Sequence, residues 1–316
     1  MVFRALIAGI VAALFLSGGA VINAQAAPGK KEGGFPELRR YKTVSEFPGV
    51  KLENPVSMFR DKASGEFYVV DRDLNEVLVL DASLTLVMRL GQTRGVDAPV
   101  AAVVRGNKIY VAMENMSELL VFNYRGELIG KVDASGRGEF NPGPMDVGPD
   151  GFIYAVNKKD GSCYVIGLDD RVTRVIGREK DGSGLSGLTG VAADKGRVFL
   201  FTPFSGYWAI RVYGTDGSFL FNFEGILGEG GTLRLPVSGR VDSLGRLWVV
   251  DAMVGLVVYE VVDDKIKNIG KLPPKGEVID FPVSVDFDDQ GMVYILENGA
   301  KSITIYRHEG SDVDFR

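Results

Sequence analysis

Short apolar runs alternate with polar turns from about residue 38 onward. The runs hold about four to six residues, mostly β-branched or aromatic, and Gly, Asp and Asn bound them. Residues 241–260, VDSLGRLWVVDAMVGLVVYE, show the pattern: a polar turn, an apolar run, a small turn and a second apolar run. No sustained 3.6-residue periodicity occurs in this part of the chain. The pattern therefore predicts strands joined by hairpins, in an all-β fold.

One pattern of strands and turns occurs six times. Each copy starts at a proline or glycine, and the starting residues are Pro55, Pro99, Pro142, Gly187, Pro236 and Pro282. The steps between them are 44, 43, 45, 49 and 46 residues, and each copy holds up to four short apolar runs. A repeat of this length with four strands predicts a six-bladed β-propeller of four-stranded antiparallel blades, a single domain over residues 38–316.

The last copy supplies only three full strands. The stretch Leu38–Phe47, LRRYKTVSEF, has the length of the missing fourth strand. We predict that it pairs with Ile303–Tyr306 and closes the ring, because an unpaired sheet edge would invite aggregation. The short run Val313–Phe315 is an alternative for the same role.

The copies resemble NHL repeats. The phrases FNPGPMDVGPDGFIYAVN and PVSGRVDSLGRLWVVD carry the resemblance, through a Pro-led strand, an Asp-Gly-type turn and a polar residue at the end of the next strand. The resemblance covers residues from about Leu38 to Gly310 and implies the propeller fold. It implies no single function, because the NHL family includes lyases, protein-binding modules and RNA-binding modules.

The second strand of each copy ends at an equivalent position. The residues there are Asp71, Met113, Asn157, Thr202, Asp251 and Glu297, of which Met113 departs most from the pattern. An acid such as Asp251 at the end of an apolar strand could be catalytic, but a catalytic group would not recur in most blades. We therefore predict that these side chains accept hydrogen bonds from turn amides.

Charge and residue counts exclude several classes of function. The formal net charge of −5 argues against neutralising a nucleic-acid backbone. The single histidine, His308, argues against a Ser-His-Asp site or a multi-histidine zinc site, and no C-x-x-C-H haem motif occurs. The single cysteine, Cys163, falls in an apolar strand position, where a thiol packs as a small hydrophobe. We predict no haem, zinc or dinucleotide cofactor.

Two short motifs imitate cofactor sites. GSGLSG at Gly182–Gly187 matches G-x-G-x-x-G, but a strand follows it where the dinucleotide fold needs a helix, so we interpret it as the loop between blades three and four. Residues 71–75, DRDLN, imitate half of a calcium loop, although Glu76 and Ala82 replace the required Gly and Glu. A calcium ion held by carboxylates and carbonyls is the weaker alternative to a protein without a bound metal.

The first 26 residues have the layout of a cleaved secretory signal. Arg4 precedes an apolar stretch, Ala5–Leu16, and Ala24-Gln25-Ala26 forms a small-x-small exit. The apolar stretch is short for a membrane span, and no later stretch is long enough. We predict cleavage after Ala26, a flexible leader over residues 27–37, and an exported protein that is periplasmic or extracellular and does not span the membrane.

The main functional expectation is a non-catalytic platform that binds a protein or an extracellular ligand through its loop rim. Turn aromatics bury much area at small entropic cost, and blade four inserts Phe204, Tyr207 and Trp208 in or beside a turn. Basic residues of the linkers between blades are predicted to share that rim: Arg94, Arg137, Arg178 and Lys180.

Two alternatives remain open. One is a propeller enzyme, a metal-dependent hydrolase, lactonase or lyase, with a divalent ion in the central channel. Its ligands would converge on the axis from several blades, with Asn54, Asn141 and Asp146 as candidates. The other is an accessory subunit of a periplasmic or cell-surface electron-transfer assembly, in which the partner carries the redox cofactor.

Overall fold

Six four-stranded antiparallel sheets make up the domain. The computed structural model describes residues 37–134, 137–203, 208–225 and 233–308. Within these ranges helical structure is confined to short 3₁₀ turns such as Gln92–Arg94. The prediction of a six-bladed β-propeller is therefore confirmed.

The strands follow one another from the inside of each blade to the outside. The innermost strands are β2 (Pro55–Arg60), β6 (Pro99–Arg105), β10 (Pro142–Val147), β14 (Gly190–Ala193), β18 (Pro236–Val241) and β22 (Pro282–Phe287). The second strands are β3 (Phe67–Asp71), β7 (Lys108–Met113), β11 (Ile153–Asn157), β15 (Arg197–Phe201), β19 (Leu247–Asp251) and β23 (Val293–Glu297). The third strands are β4 (Glu76–Leu80), β8 (Glu118–Asn123), β12 (Ser162–Ile166), β16 (Ile210–Gly214), β20 (Gly255–Val262) and β24 (Ser302–His308). The outer strands are β5 (Leu86–Leu90), β9 (Leu128–Asp133), β13 (Val172–Ile176), β17 (Phe219–Phe223), β21 (Lys265–Leu272) and β1 (Leu38–Val44).

The N-terminal strand closes the ring. Strand β1 pairs antiparallel with β24, from Leu38 opposite His308 to Val44 opposite Ile303. Each innermost strand also contacts the innermost strands of both neighbouring blades, β22 and β2 included. The predicted closure by Leu38–Phe47 is confirmed over Leu38–Val44, while the alternative segment, Val313–Phe315, lies outside the described residues.

The hydrophobic core lies between the blades. Buried side chains form five clusters, each shared by neighbouring blades. Between blades 6 and 1, the rings of Phe67 and Tyr294 are 4.7 Å apart, and between blades 5 and 6 those of Trp248 and Phe287 are 5.0 Å apart. Stacking of this kind buries both faces of a blade, so no disulfide is needed, and Cys163 is itself fully buried.

The polar residue that ends the second strand holds a turn in several blades. Asp251 accepts four backbone hydrogen bonds: Oδ2 accepts from Arg234 and Leu235, and Oδ1 accepts from Met253 and Val254. Asp71 and Asn157 do the same in their own blades, as the repeat predicted. In blade 2, where a methionine takes this position, the sulfur of Met113 accepts the backbone N–H of Asp97 at 3.3 Å.

Blade 4 differs from the other blades at its start. Its innermost strand begins at Gly190, three residues after the predicted starting residue Gly187. A Cβ atom at Gly190 would lie 2.6 Å from the carbonyl oxygen of Val237, so β14 approaches β18 more closely than a side chain allows. The proline that begins the other innermost strands is absent here, which explains why the sequence placed this start incorrectly.

Candidate central-channel site

Six side chains share one level of the central channel. They are equivalent because each lies opposite an aromatic residue of the second strand in the hairpin register. The six are Phe59, Val103, Asp146, Ala192, Arg240 and Asp286. Three of them are charged and the other three are apolar.

Arg240 bridges the two acids of this level. Its Nη1 lies 2.6 Å from Oδ1 of Asp146, and its Nη2 lies 3.0 Å from Oδ2 of Asp286. The guanidinium also lies over the ring of Phe59, with the carbon at its centre 4.9 Å from the ring centroid. We call Asp146, Arg240 and Asp286 the channel triad. It connects blades 3, 5 and 6 across the axis.

The two acids of the triad also bind the backbone of the next blade. Oδ2 of Asp146 accepts the N–H of Ala193 in blade 4 at 3.0 Å. Oδ2 of Asp286 accepts the N–H of Arg60 in blade 1 at 2.8 Å. Each carboxylate therefore has both a charged partner and backbone donors, as a buried charge requires.

Burial and charge act in opposite directions within the triad. Burial raises the pKa of Asp146, although Arg240 and the backbone N–H groups of Ala193 and Val147 act the other way. Burial acts to lower the pKa of Arg240, but the negative charges of Asp286 and Asp146 act in the opposite direction and the pKa is raised overall. The guanidinium therefore keeps its charge. The triad is thus a permanently cationic arginine held between two acids.

The triad separates two cavities on the axis. The cavity on the side where the innermost strands begin, here the upper cavity, has a volume of about 430 Å³. Its lining is mainly apolar, contributed by Val56, Met58, Val100, Pro144, Met145, Leu188, Val191, Val237, Val283 and Val285. Asp146 and Arg240 form its floor. This volume is within the range of about 300–1,000 Å³ typical of small-molecule sites.

Hydroxyl groups in the upper cavity connect neighbouring blades. Ser284 donates to the carbonyl of Met58 at 2.9 Å, and Ser238 donates to the carbonyl of Val283 at 2.8 Å. Thr189 contacts the carbonyl of Pro236 in the same way at 3.2 Å. Each bond crosses from one blade to the next, so these hydroxyls stabilise the wall.

The lower cavity, of about 590 Å³, is lined by charged hairpin residues. Most of these charges are bound within the protein. Arg105 donates to Asp170, to the carbonyl of Ile166 at 3.1 Å and to the hydroxyl of Tyr110 at 3.0 Å. Asp242 accepts from the side chains of Arg246 and Trp248, at 2.6 and 2.8 Å. Apart from the triad, the other charged lining residues are Arg60, Asp61, Lys62, Asp288 and Asp289.

A ring of six residues surrounds the upper mouth. In five blades the residue directly follows the end of the second strand, and its backbone N–H donates to the carbonyl of the residue that precedes the innermost strand, at 2.8–3.0 Å. In blade 4 the residue is a proline, which has no N–H. We call this set the mouth ring: Arg72, Glu114, Lys158, Pro203, Ala252 and Asn298. Its charges lie only in blades 1 to 3.

The predicted metal ligands do not form an oxygen cage. Asp146 is taken by Arg240, and neither Asn54 nor Asn141 lines the cavity of which Asp146 forms the floor. The amide of Asn54 donates to Asp73 at 2.9 Å, and its oxygen accepts from Asn298 at 2.7 Å. Within the described ranges, no group of three or more His, Cys, Asp or Glu side chains could hold a metal ion. The donor set at the triad does not fit a divalent ion.

The predicted rim residues lie in linkers and turns. Arg94 and Arg137 donate to backbone carbonyls of blades 2 and 3, and Arg178 pairs with Asp160 at 2.6 Å. Lys180 is exposed. The carbonyl of Trp208 accepts from Thr202 at 3.0 Å.

Phe204 and Tyr207 lie outside the described residues. For Arg94, Arg137 and Arg178 the contacts show structural roles, and partner binding at the rim stays a prediction.

Sequence reasoning missed most of the channel residues. Arg240 and Asp286 follow the starting prolines Pro236 and Pro282 by four positions, as Asp146 follows Pro142. The mouth ring follows the strand-ending residues by one position. Both sets could have been read from the alignment of the six copies, because a residue at a fixed offset occupies the same place in every blade.

The fold and the channel define a six-bladed β-propeller with a cavity of small-molecule size on its axis. A catalytically inactive virginiamycin B lyase from Staphylococcus aureus with Quinupristin is similar in structure, with 12% identity, a TM-score of 0.60, and coverage of 86% of this chain and 100% of that chain. A gluconolactonase from Xanthomonas campestris has 15% identity, a TM-score of 0.62, and coverage of 82% and 87%. A luciferin-regenerating enzyme has 15% identity, a TM-score of 0.61, and coverage of 89% and 98%. At these identities the likeness shows the fold alone.

No family model matches the chain, and no curated protein matches it either. Among the described residues, no helix is both long and apolar enough to cross a membrane. The class of fold is therefore established by structure rather than by sequence relationship.

Proposed function

We propose that this protein binds a small organic molecule in the upper cavity. The observation that supports this most strongly is the cavity itself: an apolar wall contributed by all six blades, a charged floor and polar groups at the mouth. Sites for small molecules combine a mainly apolar lining with a few placed polar groups in this way. The proposal moves the functional site from the loop rim, where the turn aromatics had suggested it, to the axis.

The wall of the cavity is rigid. Ser238 and Ser284 hold neighbouring innermost strands together, and the triad holds its floor. A preformed site loses little conformational entropy on binding. Because the triad closes the base, a ligand enters and leaves through the upper mouth.

A channel-blocking variant tests the proposal. Val56 is a partly buried apolar residue of the cavity lining, so Val56→Trp fills the space while the outside of the ring is unchanged. The matched control is Val278→Trp, because Val278 is exposed and does not line the cavity. Binding of octan-1-ol, followed by ligand-observed NMR, should be lost in Val56→Trp and kept in Val278→Trp. Equal binding by both variants contradicts the proposal.

A propeller enzyme that acts on the bound molecule is the second candidate. The three structural neighbours are a lyase, a lactonase and a luciferin-regenerating enzyme, which favours an enzyme over a non-catalytic rim platform. The triad argues against the metal-dependent form at this position. A panel of small neutral lactones, with proton release measured at constant pH, tests the lactonase form. Release that Val56→Trp abolishes supports it, and release no faster than in buffer contradicts it.

Membership in the NHL family, export from the cytoplasm, the absence of a cofactor and a role in an electron-transfer assembly stay predictions. The proposed signal segment and most of the leader lie outside the described residues. The identity of neighbouring genes would test the electron-transfer assembly. N-terminal sequencing of the exported protein would test the cleavage after Ala26.

A further inference from the structure

The charged residues of the upper cavity differ in whether the protein already pairs them. Arg240 lies between Asp146 and Asp286 on the floor. At the mouth, Arg72 forms an ion pair with Glu114, its neighbour in the mouth ring. These charges have acidic partners of their own.

Lys158 is the exception. It lines the cavity, and within the described part of the chain its ammonium forms no hydrogen bond or ion pair with a carboxylate. The adjacent Lys159 differs, since its ammonium lies 2.9 Å from a carboxylate oxygen of Glu139 outside the channel. The mouth of the upper cavity therefore carries one cation that the fold does not neutralise.

Both the backbone and the side chain of Lys158 are held in place. Its backbone N–H donates to the carbonyl of Asn141 at 2.8 Å. Its side-chain stem lies across Gly143, where an added Cβ would be 2.9 Å from Cε and 3.1 Å from Cγ of the lysine. Gly143 therefore provides the space in which the stem lies, and this contact directs the ammonium along the start of β10 into the channel mouth.

The channel mouth also removes part of the hydration of this ammonium. Lys158 remains in contact with solvent, but the surrounding protein lowers its pKa through desolvation, and Arg72 acts in the same direction while Glu114 opposes both. A bound anion would restore the lost stabilisation of the charge. The cation at the mouth and the apolar wall below it are complementary to a molecule that has an anionic group at one end and an apolar body.

We propose that the ligand of the upper cavity is a small organic anion with a hydrophobic body, whose carboxylate binds Lys158 while the body lies against the apolar wall. This inference rests on the proposed function, because it assigns the chemistry of the ligand for the same cavity. The anionic end stays near the mouth, since Arg240 on the floor is already paired with Asp146 and Asp286.

Paired probes of equal length separate the two parts of the proposal. Octanoate and octan-1-ol differ in charge and have similar hydrophobic bodies, and octylamine carries the opposite charge. Isothermal titration of the full-length protein should show that octanoate binds about ten-fold or more tightly than octan-1-ol, because only the carboxylate can form a charge-assisted hydrogen bond with both partners ionised.

Two lysine variants locate the effect. Lys158→Met keeps the length of the stem and removes the charge, so the preference for octanoate should be lost while binding of octan-1-ol is unchanged. The control, Lys159→Met, should keep the preference. Gly143→Ala displaces the stem and should weaken octanoate alone.

The outcomes are distinct. If octan-1-ol binds in the cavity as tightly as octanoate, or octylamine binds more tightly, the anion inference is wrong and the small-molecule site stands. If neither octanoate nor octan-1-ol binds, both proposals are wrong. Loss of the preference in Lys159→Met as well as in Lys158→Met would show that surface charge alone caused it.

Discussion

The two halves of the central channel use charge in opposite ways. In the lower cavity, Arg105 donates to Asp170 and to the carbonyl of Ile166 in blade 3, and Asp242 accepts from Arg246 and Trp248 of its own hairpin. In the upper cavity, apolar side chains form the wall and Lys158 is left without a carboxylate partner in the part of the chain that the structure describes. Charges in the lower half stabilise the ring, whereas the charge at the upper mouth is available to a ligand. The triad between them belongs to both halves.

The largest expected effect is at the triad. Arg240→Met leaves two buried carboxylates without their cation, and breaking a buried pair in this way costs about 3–5 kcal/mol of unfolding free energy. Chemical denaturation measures this loss. Adding Asp146→Asn and Asp286→Asn to the same chain should recover most of it, because the uncompensated charges are then removed. A loss of less than about 1 kcal/mol for Arg240→Met would show that the triad is solvated rather than buried.

A smaller loss of stability is expected in the lower cavity. Arg105→Met removes the cation shared by Asp170 and several carbonyl and hydroxyl groups, and about 2–3 kcal/mol of unfolding free energy should be lost. Lys62 is exposed and lines the same cavity, so Lys62→Met is the matched control and should change stability by less than about 0.5 kcal/mol. Equal losses of unfolding free energy in the two variants would contradict the structural role assigned to the charges of the lower cavity.

At the upper mouth, stability and binding should separate. Lys158→Met should change the unfolding free energy by no more than about 0.5 kcal/mol, because the ammonium has no acidic partner to lose. The same variant should lose the preference for octanoate. A destabilisation as large as that of Arg105→Met would assign Lys158 a structural role and contradict the comparison.

The pH dependence of binding gives the smallest effect. Desolvation lowers the pKa of Lys158, so its positive charge is lost at a lower pH than that of an ordinary lysine. Octanoate affinity should therefore fall as the pH rises through this lowered pKa, while the carboxylate stays ionised, with a pKa of about 4 to 5. Arg72, Glu114, Asp146 and Arg240 face the same space and are present in both the unmodified protein and the lysine variant. Lys158→Met should show a flat profile, and a slope of equal size in that variant would exclude the lysine as the cause.

The fold was predictable because the repeat is regular. Five starting prolines coincide with the first residues of innermost strands, and the acids that end the second strands hold turns, as Asp251 shows with four backbone bonds. Blade 4 was placed incorrectly at Gly187, since the proline that marks the other starts is missing there.

The channel residues were harder to predict, for a physical reason. The register of the first hairpin shifts just after the starting proline in five blades, between Pro236 and Ser238 for example. A shift of this kind changes which face of the strand each later residue occupies. The alternation of apolar and polar residues therefore did not identify Arg240 as an axial residue. The difference between Lys158 and Lys159 depends on contacts made after folding, and no local pattern distinguishes two adjacent lysines.

The most direct measurement uses the methionines. Met58 and Met145 line the upper cavity, whereas Met253 is exposed and Met292 packs between blades 6 and 1. In protein labelled with ¹³C at the methionine methyl groups, titration with octanoate should shift the resonances of Met58 and Met145 and leave those of Met253 and Met292 unchanged. If octanoate shifts only Met253 or Met292, or shifts none of the methyl resonances, the upper cavity is not the binding site.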